Sequence, residues 1–187
     1  MIKSIDLQAL RRRLLVCALL IIAVVDCAAA AVAVPADSIN WFNYEKGMAS
    51  AKKTGKPVFL FLWGTSCGYC TKMRQLVFPD TAVIRNLNSY FTPIMVETSS
   101  KQEIVFEGVK MTEADLAVKK FGARRIPMTW FLEPDGCRIL KLKGYRPASD
   151  LLTNFEDIRL KKYGKCANVP IEEMRVEPKP PQPKQTP

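Results

Sequence analysis

The sequence predicts an α/β fold, a central mixed β-sheet flanked by helices on both faces. Three observations carry this expectation. Val58-Phe59-Leu60-Phe61-Leu62-Trp63 is apolar without alternation, as in a strand buried on both faces. Helix-like and strand-like segments alternate on either side of it. Met128–Leu132 and Cys137–Lys143 flank Glu133-Pro134-Asp135-Gly136, a turn signal that ends the sheet in an antiparallel hairpin.

Taken in order, Asn43–Lys53 carries apolar positions at Tyr44, Met48 and Ala51 and is stopped by Gly55 and Pro57, as a helix would be. After the apolar strand, Cys67–Val77 reads as a helix ended by Pro79. Asp80 is placed to cap a second helix running through Leu87. Phe91–Val96 reads as a strand. Residues 98–111 are expected to be an inert loop, with a small hairpin insertion as the alternative. Thr112 and Asp115 form an imperfect capping box for a helix ending at Gly122. A last helix is expected over Asp150–Tyr163.

The termini differ in kind. Lys3 and Arg11-Arg12-Arg13 precede an apolar run, Leu14–Val25, and an alanine-rich stretch reaching Ala36. A basic start, a short apolar run and small residues are the features of a cleavable export signal. Residues 1–36 are therefore expected to be a signal peptide that directs the chain to the periplasm. An uncleaved membrane anchor is the alternative, but Asp26 leaves the run short of the ~20 residues a span needs. Residues 167–187 are proline-rich and are expected to form a flexible tail.

Composition narrows the chemistry. The 187 residues are 48% hydrophobic and carry a formal charge of +10, with no histidine. Histidine-dependent nucleophilic dyads and histidine-ligated metals are excluded. The basic residues are scattered, most of them at expected helix ends, where cations complement the dipole. No nucleic-acid motif accompanies them, so a solvated basic surface is favoured over DNA or RNA binding. Of six cysteines, Cys17 and Cys27 fall within the expected signal. Cys67, Cys70, Cys137 and Cys166 remain, an even number in a chain expected to be exported, where disulfides persist.

Cys67-Gly68-Tyr69-Cys70 falls where the apolar strand hands over to a helix. A thiol there faces the unpaired N–H groups and the positive dipole end, which favour the thiolate. A second thiol one turn on is close enough to pair with it and to resolve a mixed disulfide. A four-cysteine zinc site is disfavoured because Cys137 and Cys166 lie far apart, and haem attachment because Thr71 follows Cys70. No cofactor and no metal are expected. Trp63, close to Cys67, is expected at the edge of the site.

On these residues the chain resembles the thioredoxin superfamily over about residues 40–163. The likeness lies in Lys56-Pro57 with the apolar strand, the Cys67–Cys70 motif and Phe121-Gly122-Ala123-Arg124-Arg125-Ile126-Pro127-Met128-Thr129-Trp130-Phe131. Lys110-Met111-Thr112-Glu113, Leu116-Ala117 and Gly144-Tyr145-Arg146-Pro147 are similar to exported SoxW-type thioredoxin-related proteins. The resemblance implies a thioredoxin fold in a domain over residues 37–166. It implies Cys67 as nucleophile, Cys70 as resolving cysteine and Pro127 as a cis-proline exposing the Ile126 backbone to an extended substrate. Trp63, Gly68, Tyr69, Ile126 and Pro127 are then the expected substrate contacts.

Two departures stand out. Tyr69 occupies the place where thioredoxins commonly have proline, and Gly68-Tyr69 is similar to periplasmic disulfide isomerases. Phe61 stands where thioredoxin has a buried acid. The expected function is an exported thiol-disulfide oxidoreductase, a reductant of protein disulfides, kept reduced by a membrane donor resembling the CcdA/DsbD type. A disulfide isomerase or oxidase, or a non-catalytic interaction module on the same scaffold, is the alternative. In the inferred fold the last helix returns toward the start of the last strand, so a structural disulfide between Cys137 and Cys166 is expected, against two unpaired thiols.

Overall fold

The computed structural model of the chain describes residues 38–164. Its elements are α1 (Tyr44–Thr54), β1 (Val58–Trp63), α2 (Gly68–Leu76), α3 (Thr81–Tyr90), β2 (Thr92–Glu97), β3 (Glu103–Phe106), β4 (Val109–Thr112), α4 (Glu113–Asp115), β5 (Met128–Leu132), β6 (Arg138–Lys143) and α5 (Ala148–Arg159). The main sheet has the order β2-β1-β5-β6. β1 pairs with β2 in parallel and with β5 antiparallel, and β6 completes the hairpin antiparallel to β5. Among the described residues no helix is long and apolar enough to cross a membrane.

Local chemistry explains the boundaries. Asn43 Oδ1 accepts the Lys46 N–H at 2.9 Å, and Gly55 closes α1 at φ +70° with its N–H on the Ala51 carbonyl. That conformation costs a glycine little. Asp80 caps α3 through the N–H groups of Ala82 and Val83, at 2.8 and 3.1 Å. Thr112 Oγ1 accepts the Asp115 N–H at 3.1 Å, one half of the expected capping box. The helix it starts becomes a π-helical turn over Leu116–Lys120 instead of running on as α-helix to Gly122.

β1 is the centre of the molecule, and its alternate side chains enter two separate cores. Phe59 and Phe61 face α2, α3 and α5, where they meet Met73, Leu87, Phe131 and Phe155. Val58, Leu60 and Leu62 face α1 and the α4 segment, where they meet Ala51, Leu116 and Trp130. Burial on both faces is what the unbroken apolar run required. α1 lies so close to β2 that any side chain at Gly47 would collide with Ile94.

Two details differ from expectation. Residues 98–111 include a two-stranded hairpin, β3–β4, with Glu107 and Gly108 both at positive φ in its turn. α5 starts at Ala148 and ends at Arg159 because Pro147 provides the extended N-cap and Asp150 sits in the first turn. There the aspartate complements the dipole without capping it. Arg124 and Arg125 lie in the loop before Pro127, beyond the expected helix end at Gly122.

Phe59 anchors the aromatic core, with its ring edge-on to those of Phe78, Phe131 and Phe155 at 6.3, 5.5 and 5.7 Å between centroids. Phe59→Ala is expected to lower the stability of the fold by about 3–5 kcal/mol. Urea unfolding followed by tryptophan fluorescence measures this, and a loss below about 1 kcal/mol would contradict the packing described.

Candidate active site

The chain leaves β1 at Trp63, turns through Gly64–Ser66 and enters α2 with Cys67 as its N-cap. The turn is closed by the Cys67 N–H on the Gly64 carbonyl at 3.2 Å. Cys67 Sγ accepts the Cys70 N–H at 3.1 Å, so the sulfur does the work of a capping oxygen. Cys67 and Cys70 form a disulfide, with Cα atoms 5.2 Å apart. Cys67 is half-buried and reachable, whereas Cys70 is fully buried among the core residues of α2. The outer sulfur is the one a partner reaches first.

The loop before β5 forms the opposite wall. Its Ile126–Pro127 peptide is cis. The loop is held by the Trp130 indole N–H on the Phe121 carbonyl at 3.1 Å and by the Gly144 N–H on the Pro127 carbonyl at 2.8 Å. Among the described residues no hydrogen bond engages the N–H or carbonyl of Ile126. A Cβ at Gly64 would sit 2.9 Å from Ile126 Cδ1, so this glycine lets the two walls approach. A Cβ at Gly68, by contrast, would meet nothing within 4 Å. Gly68 is therefore not demanded by crowding within the chain.

The rim is aromatic and cationic. Trp63 is half-buried, and the Arg74 guanidinium lies 4.4 Å over its ring. Tyr69, 65% exposed, is the most exposed ring among the described residues and leans on Tyr145 at 6.5 Å. Lys72 Nζ lies 5.1 Å over the Tyr145 ring. Gly64 and Tyr145 thus join the surroundings of the cysteine motif, while Arg124, Arg125 and Lys143 border Pro127, and none of the five was singled out as a site residue from the sequence. A signal existed for Tyr145 and Arg124-Arg125 alone, since both lie in stretches that carried the resemblance.

Behind the pair the setting is apolar. Phe61 is fully buried, 4.9 Å from Phe78 and in the same cluster as Cys70 and Met73. Apolar surroundings disfavour a thiolate at Cys70, whereas the helix N-terminus favours one at Cys67. Among the described residues no group of histidine, cysteine, aspartate or glutamate side chains is arranged to hold a metal ion. The perturbed titrations lie elsewhere. Burial and then the hydrogen bond to Glu133 push Tyr163 up to about 12, burial raises Tyr44, and burial lowers Lys141. Cys137 immediately precedes β6 at the far end of the sheet and is not free, while Cys166 lies outside the described residues.

A sheet of this topology with a cysteine pair at a helix N-terminus defines a thioredoxin-like oxidoreductase fold. The chain belongs to the thioredoxin-like domain family, which matches residues 44–159. A thioredoxin from Thermus thermophilus is 26% identical, covering 66% of this chain and 89% of that one at a TM-score of 0.54. The DsbH oxidoreductase, 15% identical over 71% of this chain and 93% of its own, superposes at 0.54. A putative disulphide isomerase from Bacteroides thetaiotaomicron is 23% identical over 70% of this chain and all 100% of its own, at 0.51. These last two share its fold. No curated protein matches the chain significantly.

The difference in exposure between the two sulfurs gives a direct expectation for the reduced protein. Iodoacetamide should alkylate Cys67 first, with Cys70 at least about tenfold slower, because only Cys67 combines access with a helix N-terminus. Peptide mapping after timed quenching measures it, and equal or reversed rates would contradict the geometry.

Proposed function

We propose that the protein is an exported thiol-disulfide oxidoreductase that reduces protein disulfides. The observation that carries this is the asymmetry of the pair, a reachable Cys67 capping α2 and a buried Cys70 one turn on. In the reduced protein the Cys67 thiolate attacks one sulfur of a target disulfide, forming a mixed disulfide and releasing the other target sulfur as a thiolate. Cys70 loses its proton and attacks Cys67 Sγ, which expels the second target thiolate. Two electrons pass to the target, and Cys67–Cys70 is left as the disulfide. Trp63, Gly68, Tyr69, Ile126 and Pro127 form the contact surface, with the Ile126 backbone pairing with an extended target segment.

The reducing direction rests on Ile126-Pro127, the pair found in thioredoxin, on the SoxW-like stretches and on the absence of histidine, which the strongest oxidants use to stabilise their thiolate. Gly68-Tyr69 favours the isomerase reading. A reductant working in an oxidising compartment needs a membrane electron donor, for which the CcdA/DsbD type is the proposed class. Export rests on the features of residues 1–36. A disulfide between Cys137 and Cys166 remains part of the proposal. It is supported by the Tyr163 hydroxyl donating to Glu133 Oε1 at 2.6 Å, which carries the chain back to the β5–β6 turn.

One preparation tests direction and export together. Protein isolated from the periplasmic fraction of its native host is expected to begin near Asp37. Equilibrated with glutathione, it should show a potential at or below about −200 mV, toward the thioredoxin end of the family range. A potential close to about −120 mV would reject the reductant. Recovery of Met1 would reject the cleaved signal. A reducing potential together with efficient refolding of scrambled ribonuclease would favour the isomerase.

A further inference from the structure

A cleft of about 560 Å³ opens beside Pro127, lined by Arg124, Arg125, Ile126, Pro127, Met128 and Lys143 together with Gly122 and Gly144. None of these residues is acidic. The two arginines come from the loop before β5, and Lys143 stands opposite Met128 in the β5–β6 register, so cations border the cleft from two elements. Arg124, Arg125 and Lys143 are exposed. Among the described residues no ion pair or side-chain hydrogen bond engages any of them. On α2, Lys72 and Arg74 lie over the rings of Tyr145 and Trp63. Glu97, at the end of β2, is an acid at this end of the sheet, and its Oε1 accepts the Ser99 hydroxyl.

We propose that this cleft receives an acidic stretch of the protein whose disulfide Cys67 attacks, so that substrates are chosen by carboxylates next to the target cysteine. The inference rests on the redox reading of Cys67 and Cys70 and adds a substrate class to it. An extended segment pairing with Ile126 advances about 3.3 Å per residue, so side chains two or three places from the target cysteine reach Arg124, Arg125 and Lys143. Exposed cations of one sign around a cleft act over roughly a Debye length, about 8 Å at physiological ionic strength. They speed the encounter with an acidic partner more than they tighten the final contact, and salt weakens the effect. The net positive charge of the chain, +8 once residues 1–36 are removed, works in the same direction.

The test uses the full chain, reduced in advance and freed of reductant, in single turnover against two synthetic peptides with the same internal disulfide. One carries glutamates and the other lysines at the positions flanking the reactive cysteine, and appearance of the peptide dithiol is followed by chromatography. At low ionic strength the glutamate peptide should be reduced about tenfold faster, and the ratio should fall toward one in 1 M salt. Arg124→Gln/Arg125→Gln/Lys143→Gln should bring the low-salt ratio within about twofold, whereas Arg124→Lys/Arg125→Lys should retain it. Equal rates for the wild-type protein, or a preference for the lysine peptide, would overturn the inference and leave the redox reading standing. Reduction of neither peptide would overturn both.

Discussion

The hand-over from β1 to α2 governs the arrangement. β1 is held between β2 and β5, so the point at which it ends is fixed, and the turn from Gly64 brings Cys67 to the first N–H groups of α2. Those groups need an acceptor, and the Cys67 sulfur supplies it to Cys70. The same bond places the second thiol one turn further on, where the helix enters the core. One capping interaction thus sets the geometry on which the proposed roles rest, Cys67 as nucleophile and Cys70 as resolving cysteine. A thiol at the N-cap faces solvent and the positive dipole end, and a thiol in the first turn faces the sheet.

What lies behind the pair differs in character from what lies in front. Phe59, Phe61, Phe78, Phe131 and Phe155 form a network of edge-on rings beneath α2 and α5, and Cys70 packs into the same cluster. Such a wall holds α2 firmly and is apolar, with Phe61 at the position where thioredoxin carries an acid. In front, Trp63, Tyr69 and Tyr145 offer flat apolar surface, and Lys72 and Arg74 lie over two of these rings. A partner therefore meets rings and positive charge together.

Most of this was legible in the sequence, for identifiable reasons. The run Val58–Trp63 could only be a strand covered on both faces, and Asn43, Asp80 and Thr112 announced the helix starts they cap. The cysteine spacing located the chemistry. Other features were not legible. β3 and β4 are four residues each and largely exposed, so neither shows a clear period, and the hairpin depends on Glu107 and Gly108 adopting positive φ. Asp150 is equally at home at a cap or in a first turn, which blurred the start of α5. Only the tertiary fold brings Lys143 to the cleft of Arg124 and Arg125, and only there does Gly64 meet Ile126.

The central claim is that Cys67 forms the covalent link to a target protein and Cys70 releases it. Cys70→Ser removes the resolving thiol and leaves the attacking one in place. Expressed in the native host and recovered after acid quenching, this variant is expected to accumulate mixed disulfides that run as higher-mass species on non-reducing gels. These should collapse to the free chain on reduction and map to Cys67. Accumulation of the same species by Cys67→Ser instead, or of none by Cys70→Ser, would contradict the account.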